Sequence, residues 1–409
     1  MNRAHLPRWV NIVLYLIAEA AIISTDIGQV IGTAIAIHII VPQIPLVGGC
    51  AISVTDTLFI LMFYKADGTL RRLRLFEMFV SVFIIGVFVS FCIELSLITE
   101  PVGEVFRGYL PSKELFHGSG LFQSCAILGG ILMPHSLYLG SGLVQTRMRE
   151  FDTNAGVCHT ALASDSKYAI NLYRPTLTAI KECMSYSIAE ICISLFVITL
   201  FINSAILIVA ASSLNTSASN ADLPGVYALF VSTIGQASGT IFAFALLFSG
   251  ISAGIVCTMA GQLICEGAMD WRMRPFFRRL LTRTVSIIPA VIIAASEGQT
   301  GLAAALNGCN VVLSVALIFL TFPLIWYTCS DRYMRVNIND RDEPLGVLDG
   351  VLNHDTNRAL RDVEGYAERT VSLANNWATT VGAWVISTVV PAFSGATLVF
   401  LALGIGSES

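Results

Sequence analysis

Apolar residues run almost unbroken for roughly 18 to 25 positions at a time, the length of helix that crosses a hydrocarbon core about 30 Å thick. About nine such runs fall at roughly 10–40, 44–64, 76–98, 120–143, 180–212, 228–258, 284–296, 302–328 and 378–404. They predict an all-α polytopic membrane protein. Between the runs, most Lys and Arg lie around Lys65 to Arg74, Arg147 to Lys181, Arg272 to Arg283 and Arg332 to Arg369. The alternate loops, Glu100 to Glu114, Leu214 to Asp222 and Glu297 to Thr300, are acidic or polar. This alternation places the N-terminus in the cytoplasm, because basic loops stay on the cytoplasmic side. The sequon Asn215-Thr216-Ser217 falls on a predicted outer loop and agrees with that orientation. Arg3 and Arg8 precede the first run as in a signal peptide, but Glu19 and Asp26 interrupt it and no cleavage pattern precedes them.

Composition sharpens the class. Of 409 residues, 55% are hydrophobic and only 13% charged, and the mean hydropathy is +0.73, which excludes a water-soluble enzyme. A formal charge of −4 says little about partners, and nucleic acid is not expected among them. The 10 cysteines lie scattered through apolar segments without CxxC or His-Cys spacing. They read as small core residues, with neither a zinc cluster nor a disulfide framework. The runs form one transmembrane domain over 1–409, with 329–376 as a cytoplasmic loop in which Arg358 to Ser372 has the pattern of a surface helix.

Ionisable groups inside a membrane cost about 2.5–3.5 kcal/mol each, so they face a cavity, a partner or a pathway. Glu19 and Asp26 are seven apart and share one face of the first span, joined by Gln29 a turn later. Such a stripe is either a proton or ion relay or a hydrogen-bond cluster that fixes helix packing. Asp56 with Thr55 and Thr57, and Glu190 with Ser185 and Ser187, read as acids satisfied between helices. Glu77 and Glu94 fall near the ends of the third span, where interfacial positions are cheap. Arg283 enters the seventh span and can pair with a membrane carboxylate.

The fourth span contains Leu128-Gly129-Gly130-Ile131-Leu132-Met133-Pro134-His135-Ser136, a glycine pair followed by proline in mid-membrane. It predicts an unwound or kinked helix. Irregular backbone at that depth is tolerated only inside protein or along a cavity, and transporters build midplane sites from it. The freed carbonyl of Gly130 can coordinate a cation. The Met133 thioether, otherwise a core filler, favours Mn²⁺ or Fe²⁺ over Mg²⁺ and Ca²⁺. His135 is either a satisfied core histidine or a proton carrier. Asn307 and Asn310 in the eighth span offer amide ligands or interhelical hydrogen bonds, and Ser249 to Gly254 forms a small-residue packing face.

Several strings together resemble the Nramp family of divalent-metal/proton symporters in its fungal form. They are AEAAIISTDIGQVIGTAIAI from Ala18 to Ile37, PLVGGCAISVTDT from Pro45 to Thr57, MPHSLYLGSGLVQTR from Met133 to Arg147, GISAGIVCTMAGQLICEG from Gly250 to Gly267, and RRLLTR from Arg278 to Arg283. MPHSLYL after the glycine pair is close to family-specific. The resemblance, which runs over nearly the whole chain, implies a LeuT-like bundle in which two inverted five-helix repeats enclose a midplane site. It also implies that the first span corresponds to the family's third helix. The family's first helix, broken at an Asp-Pro-Gly-Asn motif, and its second have no counterpart here, so the bundle is expected to be N-terminally incomplete.

The resemblance further implies proton-coupled transport of Mn²⁺ or Fe²⁺, with no permanently bound cofactor. Met133, Gly130 at the position of the family's usual Ala, and Asn310 where many members have Gln would hold the metal. His135, Asp26 and Glu19 would pass the proton, with Arg283 as a candidate counter-ion. Gln29 replaces a common Glu, and Gly140 a common second His. The lipid bilayer, the metal ion and protons are the expected partners, in the plasma membrane or an endosomal or vacuolar membrane. One alternative is a truncated, non-transporting homologue that assembles with or regulates a full-length transporter; another is a chain whose sequence starts late through an incomplete gene model. A membrane-embedded enzyme would need a catalytic pair at an interface, and no such constellation is seen beyond the relay residues.

Overall fold

Pro7 and Pro42 frame the first long helix, α1 (Arg8–Ile40). Proline fits before a first turn but cannot continue a helix, and it drives the preceding residue, Val41, out of helical geometry. Between them the backbone groups other than those of the terminal turns pair within the helix, as lipid demands. The computed structural model describes residues 1–53, 55, 70–98, 101–110, 112–116, 120–156, 175–213, 222–269, 275–337 and 370–402.

After α1 come α2 (Leu46–Ile52), α3 (Leu70–Leu97), α4 (Gly120–Ile131), α5 (Pro134–Asn154), α6 (Leu177–Ile193), α7 (Leu200–Ser213), α8 (Leu223–Thr233), α9 (Gln236–Met269), α10 (Pro275–Ser296), α11 (Gly298–Thr328) and α12 (Trp377–Ala402). A π-helical turn, Ser194–Thr199, links α6 to α7. Among the described residues, six helical stretches are long and apolar enough to cross a membrane: Arg8–Ile40, Gly120–Asn154, Leu177–Ser212, Gln236–Met269, Gly298–Thr328 and Trp377–Val399. Shorter apolar helices lie at Ser81–Leu97, Leu223–Thr233 and Leu280–Ser296.

These elements match most of the runs in the sequence. The run at 228–258 is an exception, being divided between α8 and α9 by Gly235 at φ +131. Only glycine adopts that backbone readily, and hydropathy carries no trace of it. The run at 44–64 begins with α2, and most of the rest, including Asp56, lies outside the described residues. So do the sequon at Asn215 and the side chain of Glu77. Within the expected surface helix at 358–372, residues 358–369 are likewise outside them. Thr370–Ser372 is a strand, β2, paired antiparallel with β1 (Arg335–Asn337) in the register Val336 to Val371. Cross-strand hydrogen bonds there override the helical pattern.

The chain divides into two compact units, one of residues 1–139, 195–321 and 387–409, the other of 140–194 and 322–386. In the first, Val30, Ile31, Ala34 and Ile35 of α1 pack with Cys50 of α2, Ala290 and Ala294 of α10, and Leu302 of α11. Small residues set the spacing: a Cβ on Gly49 would meet the backbone of Ala34, and one on Gly250 would reach the Thr33 hydroxyl. The run Ser249 to Gly254 therefore lies on a close helix contact. Phe91, Phe230 and Phe242 form an edge-to-face aromatic group where α3, α8 and α9 meet. Glu94, read from the sequence as interfacial, is 2% exposed there and enclosed by protein, with a hydrogen bond to Thr233. Ser238 donates to Ser90 one helical turn away at 2.8 Å. In the second unit Arg147 pairs with Glu190 at 2.7 Å, donates to Ser187 and lies over the Tyr186 ring, so Glu190 has a structural partner.

Candidate functional site

Pro134 has no N–H, so the carbonyl of Gly130, four residues earlier, cannot complete its helical hydrogen bond. The chain answers as the sequence predicts. α4 ends at Ile131, Leu132 and Met133 are non-helical, and α5 starts at Pro134. Leu132 N–H still reaches Leu128 at 2.9 Å, and Ser136 N–H turns back to Met133 at 3.1 Å.

The glycine pair brings this break against α11. A Cβ on Gly129 would collide with the carbonyl of Asn310 and stand 2.7 Å from the amide of Ser314, so only hydrogen fits. A Cβ on Gly130 would lie 3.3 Å from Asn310 Nδ2. Gly130 and the Asn310 amide are therefore neighbours, with Met133 in the unwound link beside them. Behind them Ser314 and Ser394 share a hydrogen bond at 2.7 Å, and Cys125 donates to Ser394 at 3.7 Å, tying α4, α11 and α12 together.

The polar stripe of α1 faces protein. Asp26 is 0% exposed, and Thr25, Gln29 and Thr33 are also buried. His135, on the first turn of α5, is 2% exposed and lies near enough to Asp26 for their charges to interact. Between α1 and α5 stands Cys257 of α9. Gln29 Nε2 donates to its sulfur at 3.2 Å, and the sulfur lies 3.7 Å from His135 Nε2.

Further along α1, Glu19 accepts from Nη2 of Arg278 through both oxygens at 2.6 Å. Tyr15 also donates to Glu19, at 3.3 Å. Arg278 is itself buried, lies across Gly261 where a Cβ would press on the guanidinium, and donates to the Gly261 carbonyl. Arg283 is 1% exposed and donates to the Ser53 carbonyl at the end of α2, at 3.2 Å. The ion-pair partner of Glu19 is thus Arg278, at the start of the RRLLTR string that ends in Arg283.

The structure brings Gly130 and Asn310 together, sets Met133 in the break, and groups His135, Asp26 and Gln29 around Cys257. Glu19 stands with Arg278 about two turns of α1 from Asp26. Cys257 and Arg278 carried no functional signal in the sequence. A thiol in an apolar helix looks like a filler, and an arginine at a basic loop looks topological. All of these residues belong to the first compact unit.

The family model described as "Natural resistance-associated macrophage protein-like" (Nramp) matches residues 1–343. The manganese transporter SMF1 of Saccharomyces cerevisiae is 42% identical, over 94% of this chain and 71% of that protein. The manganese transporter pdt1 of Schizosaccharomyces pombe is 41% identical, over 98% and 73%. The iron transporter SMF3 of Saccharomyces cerevisiae is 42% identical, over 91% and 74%. Among solved structures, the manganese transporter of Eremococcus coleocola superposes with a TM-score of 0.67 at 23% identity, over 96% of this chain and 72% of that one. That likeness shows a shared fold, the LeuT-like bundle.

Proposed function

Because the chain belongs to the Nramp family, we propose that it carries a divalent transition metal, Mn²⁺ or Fe²⁺, across a membrane together with protons. The observation that carries this reading is the break at Leu132–Met133 set against Asn310. Gly130, whose carbonyl lost its helical donor, adjoins the Asn310 amide, and in this reading the Met133 thioether joins them as the third donor. Oxygen and sulfur donors of this kind suit a transition cation better than Mg²⁺ or Ca²⁺.

In this mechanism Gly130, Asn310 and Met133 take the metal from one side. His135 and Asp26, buried and within electrostatic reach of each other, take a proton and pass it toward Glu19. Arg278 pairs with Glu19 and fixes its position, while Arg283 anchors α10 to the end of α2. The proton and the metal thus use different groups on neighbouring helices. The chain works as one transporter domain, with 329–376 and the N-terminus in the cytoplasm and with the plasma membrane or an endosomal or vacuolar membrane as its site.

The test is uptake of Mn²⁺ and Fe²⁺ by the 409-residue chain in cells lacking their own high-affinity transporter. Uptake above the empty-vector level, increased at lower external pH, is expected. Background uptake of both metals by a well-expressed chain refutes the reading.

A further inference from the structure

We propose that Cys257 is a positioning residue for transport, holding the His135 imidazole in register with the α1 stripe. The inference rests on the reading of His135 given above and extends it to a residue outside the donor and relay sets. Among the described residues Cys257 is the one hydrogen-bond partner of this imidazole, and the ring's other nitrogen has none. His135 needs such a holder. It sits one residue into α5, immediately beyond the break, so the rigid rod of α4 does not dictate where its ring points.

The sulfur is a fixed point. Cys257 is 1% exposed, and the Gln29 amide holds it at 3.2 Å. α9 itself is keyed to α1 by Gly250, whose missing Cβ makes room for the Thr33 hydroxyl. Three helices, α1, α5 and α9, thereby meet at one atom.

A thiol suits this junction because it is both donor and acceptor. It can take the Gln29 N–H and still bond Nε2 in either tautomer, giving its own proton to a bare nitrogen or accepting from a protonated one. Serine keeps both capacities and alanine neither. A methyl-sized side chain would fill most of the space while releasing both Gln29 and His135.

Mn²⁺ uptake into proteoliposomes containing the full chain tests the proposal through Cys257→Ala and Cys257→Ser. The alanine variant is expected to lower the maximal rate about tenfold, the equivalent of one lost hydrogen bond, with KM within about twofold. The serine variant should retain at least about half of the rate. An alanine variant equal to wild type, or a serine variant as impaired as alanine at matched abundance, overturns the proposal. Whether the wild-type chain transports at all decides the functional reading separately. A measurement without transport completes the test: thermal unfolding in detergent of Cys257→Ala, His135→Ala and the double variant. A double variant that loses less than the sum of the singles supports the contact, and strict additivity overturns it.

Discussion

Replacing Gly129 by alanine tests the helix break more sharply than any change to a polar group, because Gly130 next to it serves as its control. The new Cβ of Gly129→Ala would stand 2.7 Å from the Ser314 amide nitrogen, where ordinary contact begins near 3.4 Å, and closer still to the Asn310 carbonyl. Both are backbone atoms, and the carbonyl contact is the tighter, so α4 and α11 must separate by more than about 1 Å. Overpacking of this kind costs about 1–3 kcal/mol. At Gly130 the same methyl meets only the tip of the Asn310 side chain at 3.3 Å, which a small rotation relieves. Alanine's better helix propensity, up to about 1 kcal/mol, offsets that. Thermal unfolding in detergent should therefore place Gly129→Ala about 1–4 °C below wild type and Gly130→Ala within about 1 °C. Mn²⁺ uptake should fall at least about tenfold in the first, since Asn310 moves with α11, and persist in the second. Equal melting temperatures and equal uptake for the two variants would refute the close approach and with it the geometry of the site.

Other changes probe the remaining parts. Arg278→Ala strands a largely buried Glu19 carboxylate and should cost roughly 3–5 kcal/mol, discounted for the residual exposure of Glu19; the double variant with Glu19→Ala should recover part of it in a double-mutant cycle. Met133→Ala should narrow the preference for Mn²⁺ over Ca²⁺ in a competition uptake assay, and an unchanged ratio would remove the thioether from the donor set. Asp26→Asn should depress proton-coupled flux more than metal binding, measured side by side as pH-driven uptake and as Mn²⁺ titration of the purified protein.

The break between α4 and α5 was legible because its cause is local: a proline without an N–H four residues after a glycine carries the whole argument. The buried stripe of α1 was legible for a similar reason, since a seven-residue spacing fixes a helix face. Long-range partners were not. Arg278 and Glu19 are 259 positions apart, and RRLLTR presents several arginines of which only three-dimensional packing selects one for that acid. Cys257 looked like its fellow cysteines because a thiol's polarity is invisible to hydropathy. Glu94 looked interfacial because span ends were drawn from α3 alone, whereas α8, beyond the bend at Gly235, is the element that supplies Thr233 to it.

A carbonyl deprived of its helical donor by a proline ring must find a partner outside its own helix. Left without one in hydrocarbon, it would cost several kcal/mol. A cation that accepts the lone pair lowers it. On the proposed mechanism cargo binding would then act as a repair, and the melting temperature should rise with metal occupancy.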